Sequence, residues 1–113
     1  MDINKGDIVI VRLDGSIRSV QGGTRPCVVI QNNMGNRHST TTIVAPLTSK
    51  VNKAPLPTHV RIPSGQAGLS MDSLVLAEQI RTIDKCDVQF IIGKLSGYFQ
   101  ALVDRAVRIS LAL

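Results

Sequence analysis

Aromatic side chains are almost missing from this 113-residue chain: Phe90, Tyr98 and Phe99 are the only three, and there is no tryptophan. All three lie in the last quarter. That excludes the base-stacking platforms that RNA-recognition motifs and oligonucleotide-binding barrels build from strand aromatics. Cysteine is nearly as scarce. Cys27 and Cys86 stand 59 positions apart, which predicts a reduced, buried pair rather than a disulfide framework. Neither His38 nor His59 sits at a zinc-ligand spacing from a cysteine, so no metal site is expected. No apolar run reaches the ~18 residues of a membrane-spanning helix, and Met1 to Arg12 lacks the charged start and apolar stretch of a signal peptide. A cytoplasmic chain with no membrane contact is expected.

The most informative absence is that of carboxylates. Residues 15 to 71, 57 in all, contain no Asp or Glu, yet they carry Arg18, Arg25, Arg37, Lys50, Lys53, Arg61 and both histidines. The net charge of +5 comes entirely from the first half of the chain. An electropositive stretch of this kind predicts an anionic partner, and nucleic acid above all. Without aromatics, the grip must come from phosphate contacts and polar reading of base edges. What the chain has in quantity is Ile, Leu and Val, 34 of them, enough for a packed core and too many for a disordered tail. The length fits one domain over 1–113 on a prior of ~100 to 200 residues per domain. A domain this small leaves apolar surface that suits a dimer.

Asp7 to Leu13 reads as a strand stopped by Asp14-Gly15-Ser16, and Cys27 to Gln31 as a second. Asn32 to Asn36 reads as loop. Thr40 to Leu47 and Thr58 to Ile62 are further strands, the latter placing His59 and Arg61 on one face and Val60 and Ile62 on the other. Ser73 to Ile83 starts apolar, turns polar at Glu78, and is expected to run out of the core into solvent. Val88 to Ile92 reads as a helical turn or two before a break at Gly93. From Phe99 to Leu111 the apolar spacing becomes that of an amphipathic helix, with Ser96 available as its N-cap. The fold class is mainly β with α: a small, strongly bent antiparallel sheet or barrel with a C-terminal helix.

Gly22-Gly23-Thr24-Arg25-Pro26 is the segment richest in chemistry. Pro26 biases Arg25 towards extended backbone, and the glycines let the preceding loop move or approach a ligand closely. A guanidinium so placed can fork onto a phosphate and stabilise the extra charge of a pentacoordinate phosphorus. An arginine starting a strand in a surface ion pair is the plainer reading. Thr48, at the end of the third strand, presents a hydroxyl or simply caps a turn.

Several blocks together carry a resemblance. Val29-Ile30-Gln31-Asn32 with Gly35-Asn36-Arg37, Ile43-Val44-Ala45-Pro46-Leu47-Thr48, Leu56-Pro57-Thr58-His59-Val60, and Glu78 to Lys85 resemble the MazF/PemK toxins in order and spacing over nearly the whole chain. The resemblance implies an SH3-like, CcdB-like barrel and a homodimeric, cofactor-free and metal-independent endoribonuclease, silenced by an antitoxin, and the carboxylate-free stretch suits an acidic segment on that antitoxin. It implies single-stranded RNA as substrate, cut at a short site such as a U-rich pentanucleotide containing ACA. It places the catalytic arginine on Arg25 and the catalytic Ser/Thr on Thr48. RNA-binding positions fall on Ser19 and Gln21, on Lys53 and Leu56 in the loop from Ser49 to Thr58, and on Gln79, with His59 a further RNA-binding candidate. Two departures stand out. Many relatives have Gly-Ser-Glu-Gln before the double glycine, where this chain has Arg18-Ser19-Val20-Gln21, so no loop glutamate serves as a base, and the first strand lacks the aromatics common in the family.

RNA brings its own nucleophile in the 2′-hydroxyl, so the protein must align it, stabilise the phosphorane and help the 5′-oxygen leave. Arg25 suits charge stabilisation and, with a free pKa above ~12, is a poor base. His59 has an intrinsic pKa suited to proton transfer, but its place in a strand equally suits packing. Two alternatives stay open: a CcdB-like gyrase-binding toxin without nuclease activity, and a plain RNA-binding barrel that needs the basic face but neither Arg25 nor Thr48.

Overall fold

A computed structural model describes residues 1–13, 22–52 and 54–113. Ser19, Gln21 and Lys53 lie outside the described residues. Within them the chain runs β1 (Asp7–Leu13), β2 (Gly23–Val29), α1 (Asn33–His38), β3 (Thr41–Thr48), β4 (His59–Ile62), β5 (Ser73–Leu76), β6 (Arg81–Asp84), β7 (Val88–Lys94) and α2 (Gly97–Leu111). Every strand pairing is antiparallel, in the order β4-β5-β3-β2-β1-β7, with β6 also on β3. The mainly β architecture with a late helix is the one expected from the sequence.

The unbroken apolar run of β1 has a simple cause: both faces of the curled sheet are covered. Ile8 joins Val28, Ala45 and Leu47 in the cluster under α2, where Val103 and Ala106 are buried. The alternate residues Val9, Val11 and Leu13 join Cys27, Val29, Val44 and Val88 in a second cluster on the other face. Strand periodicity thus sorts one run into two cores. Helix α2 begins as predicted, with the Ser96 hydroxyl accepting from the Phe99 N–H, although Leu111 at its end is exposed rather than packed.

Five readings change. The second strand is Gly23–Val29 rather than Cys27 to Gln31, because Gly23, Thr24 and Arg25 already pair with Leu13, Arg12 and Val11 of β1. Asn33–His38 is a short helix, not loop: the Asn32 side chain caps it, and the buried Asn36 amide accepts from Thr42 Oγ1 and Gln31 Nε2. A helix tied down by a polar residue shows no apolar period. Ser73 to Ile83 is two strands separated by a 3-10 turn, Ala77–Gln79, and its far end stays in the fold, because Ile83 is buried opposite Thr42. Val88–Lys94 is a strand on β1 rather than helix, with two register irregularities that let it follow the curl. Cys27 is buried as expected, whereas Cys86 is exposed; both are free thiols.

Candidate active site

Strand β3 loses its β2 partner before it ends, and a cleft opens where that ladder stops. Its ladder with β2 pairs Val44 with Val29, Ala45 with Val28 and Pro46 with Cys27. Beyond Pro46 that pairing stops, while on the opposite edge of β3 the partner passes from β6 to β5, Leu47 with Val75 and Thr48 with Leu74. Continuing the β2 register two residues sets Arg25 opposite Thr48, but Pro26 and Pro46 have no N–H to donate where that ladder would run on. The strands part there. A cavity of about 370 Å³ opens between them, lined by Thr24, Arg25, Thr48, Ser49, Ser70 and Met71 among others, within the ~300 to 1,000 Å³ typical of small-ligand pockets.

Arg25 is held by backbone. Its Nε donates to the Gly22 carbonyl at 2.8 Å and its Nη1 to the Leu47 carbonyl at 3.3 Å. These contacts use two of the five N–H groups of a guanidinium, and Arg25 takes part in no ion pair among the described residues. The surface ion pair weighed from the sequence is therefore not what fixes it. Thr48 is only 5% exposed, and its Oγ1 accepts from the Lys50 N–H at 3.2 Å, so its own proton points elsewhere. The charge is a fixed cation beside hydroxyls, and among the described residues none that lines the cavity is a carboxylate. Below it, burial pushes the Cys27 thiol up to about 12 against the pull of Arg25 and Arg81, which makes it inert as a nucleophile.

A family model described as PemK-like, MazF-like toxin of type II toxin-antitoxin system matches residues 4–111. This chain belongs to that family. It is 47% identical to Endoribonuclease EndoA of Bacillus subtilis (strain 168) over 113 residues, covering all of this chain and 97% of the relative. A MazF from Deinococcus radiodurans superposes with a TM-score of 0.84 at 20% identity, covering 100% of this chain and 99% of that one. A mycobacterial endoribonuclease solved in complex with its cognate antitoxin does so with a TM-score of 0.81 at 21% identity, covering 98% and 96%. The fold of these two structures is the one described above.

Of the positions that the MazF/PemK resemblance marks, the structure brings Arg25 and Thr48 to one cleft. Leu56 is exposed between β3 and β4, and its carbonyl accepts from the His59 N–H. Gln79 is half-buried in the 3-10 turn after β5. His59 lies apart from the cleft. It opens β4, its side chain is 7% exposed, and its Nε2 meets Glu78 Oε2 at 3.0 Å. It lines a different hollow, against Leu102, Arg105 and Ile109 of α2. Packing is thus the reading of His59 that the contacts support. Ser70 and Met71, which line the cleft beside Arg25, were not singled out from the sequence; the glycines Gly65 and Gly68 just before them were the available signal.

Proposed function

We propose that this chain, as a single toxin domain over residues 1–113, is a metal-independent endoribonuclease that cleaves single-stranded RNA at a short sequence in the cytoplasm. The observation that carries it is the pairing of a backbone-held Arg25 with Thr48 in an open cleft, on a chain 47% identical to an endoribonuclease. The substrate's 2′-oxygen attacks phosphorus and loses its proton, the bond to the 5′-oxygen breaks, and that oxygen gains a proton. A 2′,3′-cyclic phosphate and a 5′-hydroxyl result, with no water consumed. Arg25 meets the charge that builds on the phosphorane, and its fixed position means it need not reorganise as the charge develops. Thr48 donates from its hydroxyl to orient the phosphate or the nucleophile. Among the described residues the cleft presents guanidinium and hydroxyl groups and no carboxylate, a poor donor set for a divalent cation. A gyrase-binding toxin or a passive RNA-binding barrel needs neither side chain.

The partners follow from the same surface. An antitoxin with an acidic segment complements the carboxylate-free stretch, in keeping with the antitoxin complexes of the structural relatives. Exposed Phe90 and Ile91 on β7 and Leu111 and Leu113 at the C-terminus supply apolar surface for a homodimer. The test uses purified protein, a long single-stranded RNA and EDTA, with both product ends mapped. Cleavage is expected to persist and to leave the cyclic phosphate. A substrate with 2′-deoxyribose at the scissile nucleotide binds and resists cutting. Arg25→Ala loses ~100-fold or more in rate, by analogy with removal of an oxyanion-hole donor, while Thr48→Ala loses less and Thr48→Ser little. A 5′-phosphate product, or full activity in Arg25→Ala, overturns the reading.

A further inference from the structure

The segment between β4 and β5 is built with more constraint than a connection requires. Gly65, Ala67 and Gly68 all take positive φ, at 87°, 53° and 78°, a conformation that costs a non-glycine residue such as Ala67 of order 1 kcal/mol or more. Backbone bonds close it internally, from Gly65 N–H to the Leu69 carbonyl at 2.8 Å and from Leu69 N–H to the Gln66 carbonyl at 2.9 Å. Asp72 ties its two ends together, accepting from the Ser64 N–H at 2.8 Å and from Arg61 at 3.1 Å. Its middle is locked onto β7: a Cβ on Gly68 would stand 2.0 Å from the Ile92 carbonyl oxygen, and one on Gly93 2.1 Å from that of Ala67. Leu69 is buried in the core under α2.

Such a held segment delivers two side chains, Ser70 and Met71, to the cleft that contains Arg25 and Thr48. The Ser73 hydroxyl donates to the Met71 carbonyl at 2.9 Å and fixes the backbone there. Met71 is a large apolar side chain 59% exposed, on a backbone that cannot drift away. Among the described residues none that lines the cleft is aromatic, so a flat ring entering it packs there against aliphatic or thioether groups. A polarisable sulfur packs well against the edge or face of an aromatic ring. The cation and hydroxyls of β2 and β3 suit phosphate; Met71 and Ser70, on a separate segment, offer a soft contact and a hydroxyl that both donates and accepts.

We propose that Met71 and Ser70 form the base-contacting wall of this cleft and set which nucleobase is accepted next to the scissile phosphate. The inference rests on the nuclease reading above, and it assigns specificity to a segment outside the positions marked by the family resemblance.

The three methionines permit a direct test. Met1, Met34 and Met71 are 72%, 64% and 59% exposed, so peroxide should convert all three to sulfoxides at comparable rates in the free protein. With an uncleavable RNA carrying 2′-deoxyribose at the scissile nucleotide, Met71 should be protected at least ~5-fold by mass spectrometry while Met1 and Met34 are not. In parallel, wild-type protein and the Met71→Ala, Met71→Leu and Ser70→Ala variants are given an RNA library randomised around the cleavage site. Met71→Ala should lose base preference at one position flanking the cut and Met71→Leu should keep it, whereas Arg25→Ala lowers cleavage of all sequences alike. Cleavage by wild type with unprotected Met71 and unchanged preference in Met71→Ala overturns this inference alone. No cleavage by wild type at all sinks the nuclease reading and this inference with it.

Discussion

Glu78 shows how one side chain holds together residues far apart in sequence. Its carboxylate accepts from Thr58 Oγ1 at 2.9 Å and meets His59 Nε2 at 3.0 Å, tying the start of β4 to the turn after β5. Burial pushes its pKa up, but its own backbone N–H and the bonds from His59 and Thr58 outweigh that and hold it below the ordinary carboxylate value. The unfolded chain, with Glu near ~4.3, therefore takes up the proton first. The stabilisation is complete above that pH and is lost as the pH falls through the folded value. Glu78→Gln should lower stability at pH 7 by no more than about 1 kcal/mol, since the carboxylate is partly exposed and screened by solvent, and should flatten the acid limb of the urea midpoint below pH ~4. An unchanged acid limb would show that the tether is idle. At this scale the sequence was a partial guide. Arg25 and Thr48 stand out in it through Pro26 and the family blocks. The packing of His59 does not, because its partner Glu78 lies 19 positions further on and no local pattern links them.

Elements were legible wherever one face was apolar and the period regular. β1, β3, β4 and α2 fall within a residue or two of expectation, since burial on a sheet or helix face writes its period into the sequence. The failures share a cause. α1 is held by the hydrogen bonds of Asn36 rather than by a greasy stripe; β7 bends over two irregularities that blur its alternation; and the 3-10 turn at Ala77–Gln79 interrupts what reads as one strand. The segment from Pro63 to Asp72 is the sharpest case, for its position depends on backbone contact with β7, and contacts without side chains leave no trace but glycine. Gly93→Ala should therefore destabilise by about 2 to 3 kcal/mol, the range of overpacking at a site that cannot yield, visible as a lowered urea midpoint. Gly97→Ala is the control, because nothing lies within 4 Å of a Cβ there. Equal stability of the two variants would mean that the contact gives way freely.

For the molecule as a whole, charge is distributed less simply than its total implies. Arg61 is paired with Asp72 and Arg12 with Asp87. Arg37 rides on α1, beside the opposite end of β3 from Thr48 and hence roughly 20 Å from the cleft at ~3.3 Å per strand residue. For a short oligonucleotide this removes cations from the expected contact set. RNA affinity should fall with salt with a log-log slope of about −2, at ~0.7 per phosphate contact, and Arg37→Ala should leave that slope unaltered. A flat response would remove phosphate contacts from the account, and a shallower slope in Arg37→Ala would place the RNA across α1. The close approach of Gly68 to Gly93 has a further consequence here. β7 is hydrogen-bonded along one side to β1, while on its other side it meets the 63–72 segment through bare backbone in van der Waals contact. A seam of that kind contributes no ladder bond, so β7 is held to the sheet by β1 alone. In hydrogen exchange, amides of Val88–Lys94 should trade with solvent well before those of Ile43 to Leu47, whose strand is clasped from both sides.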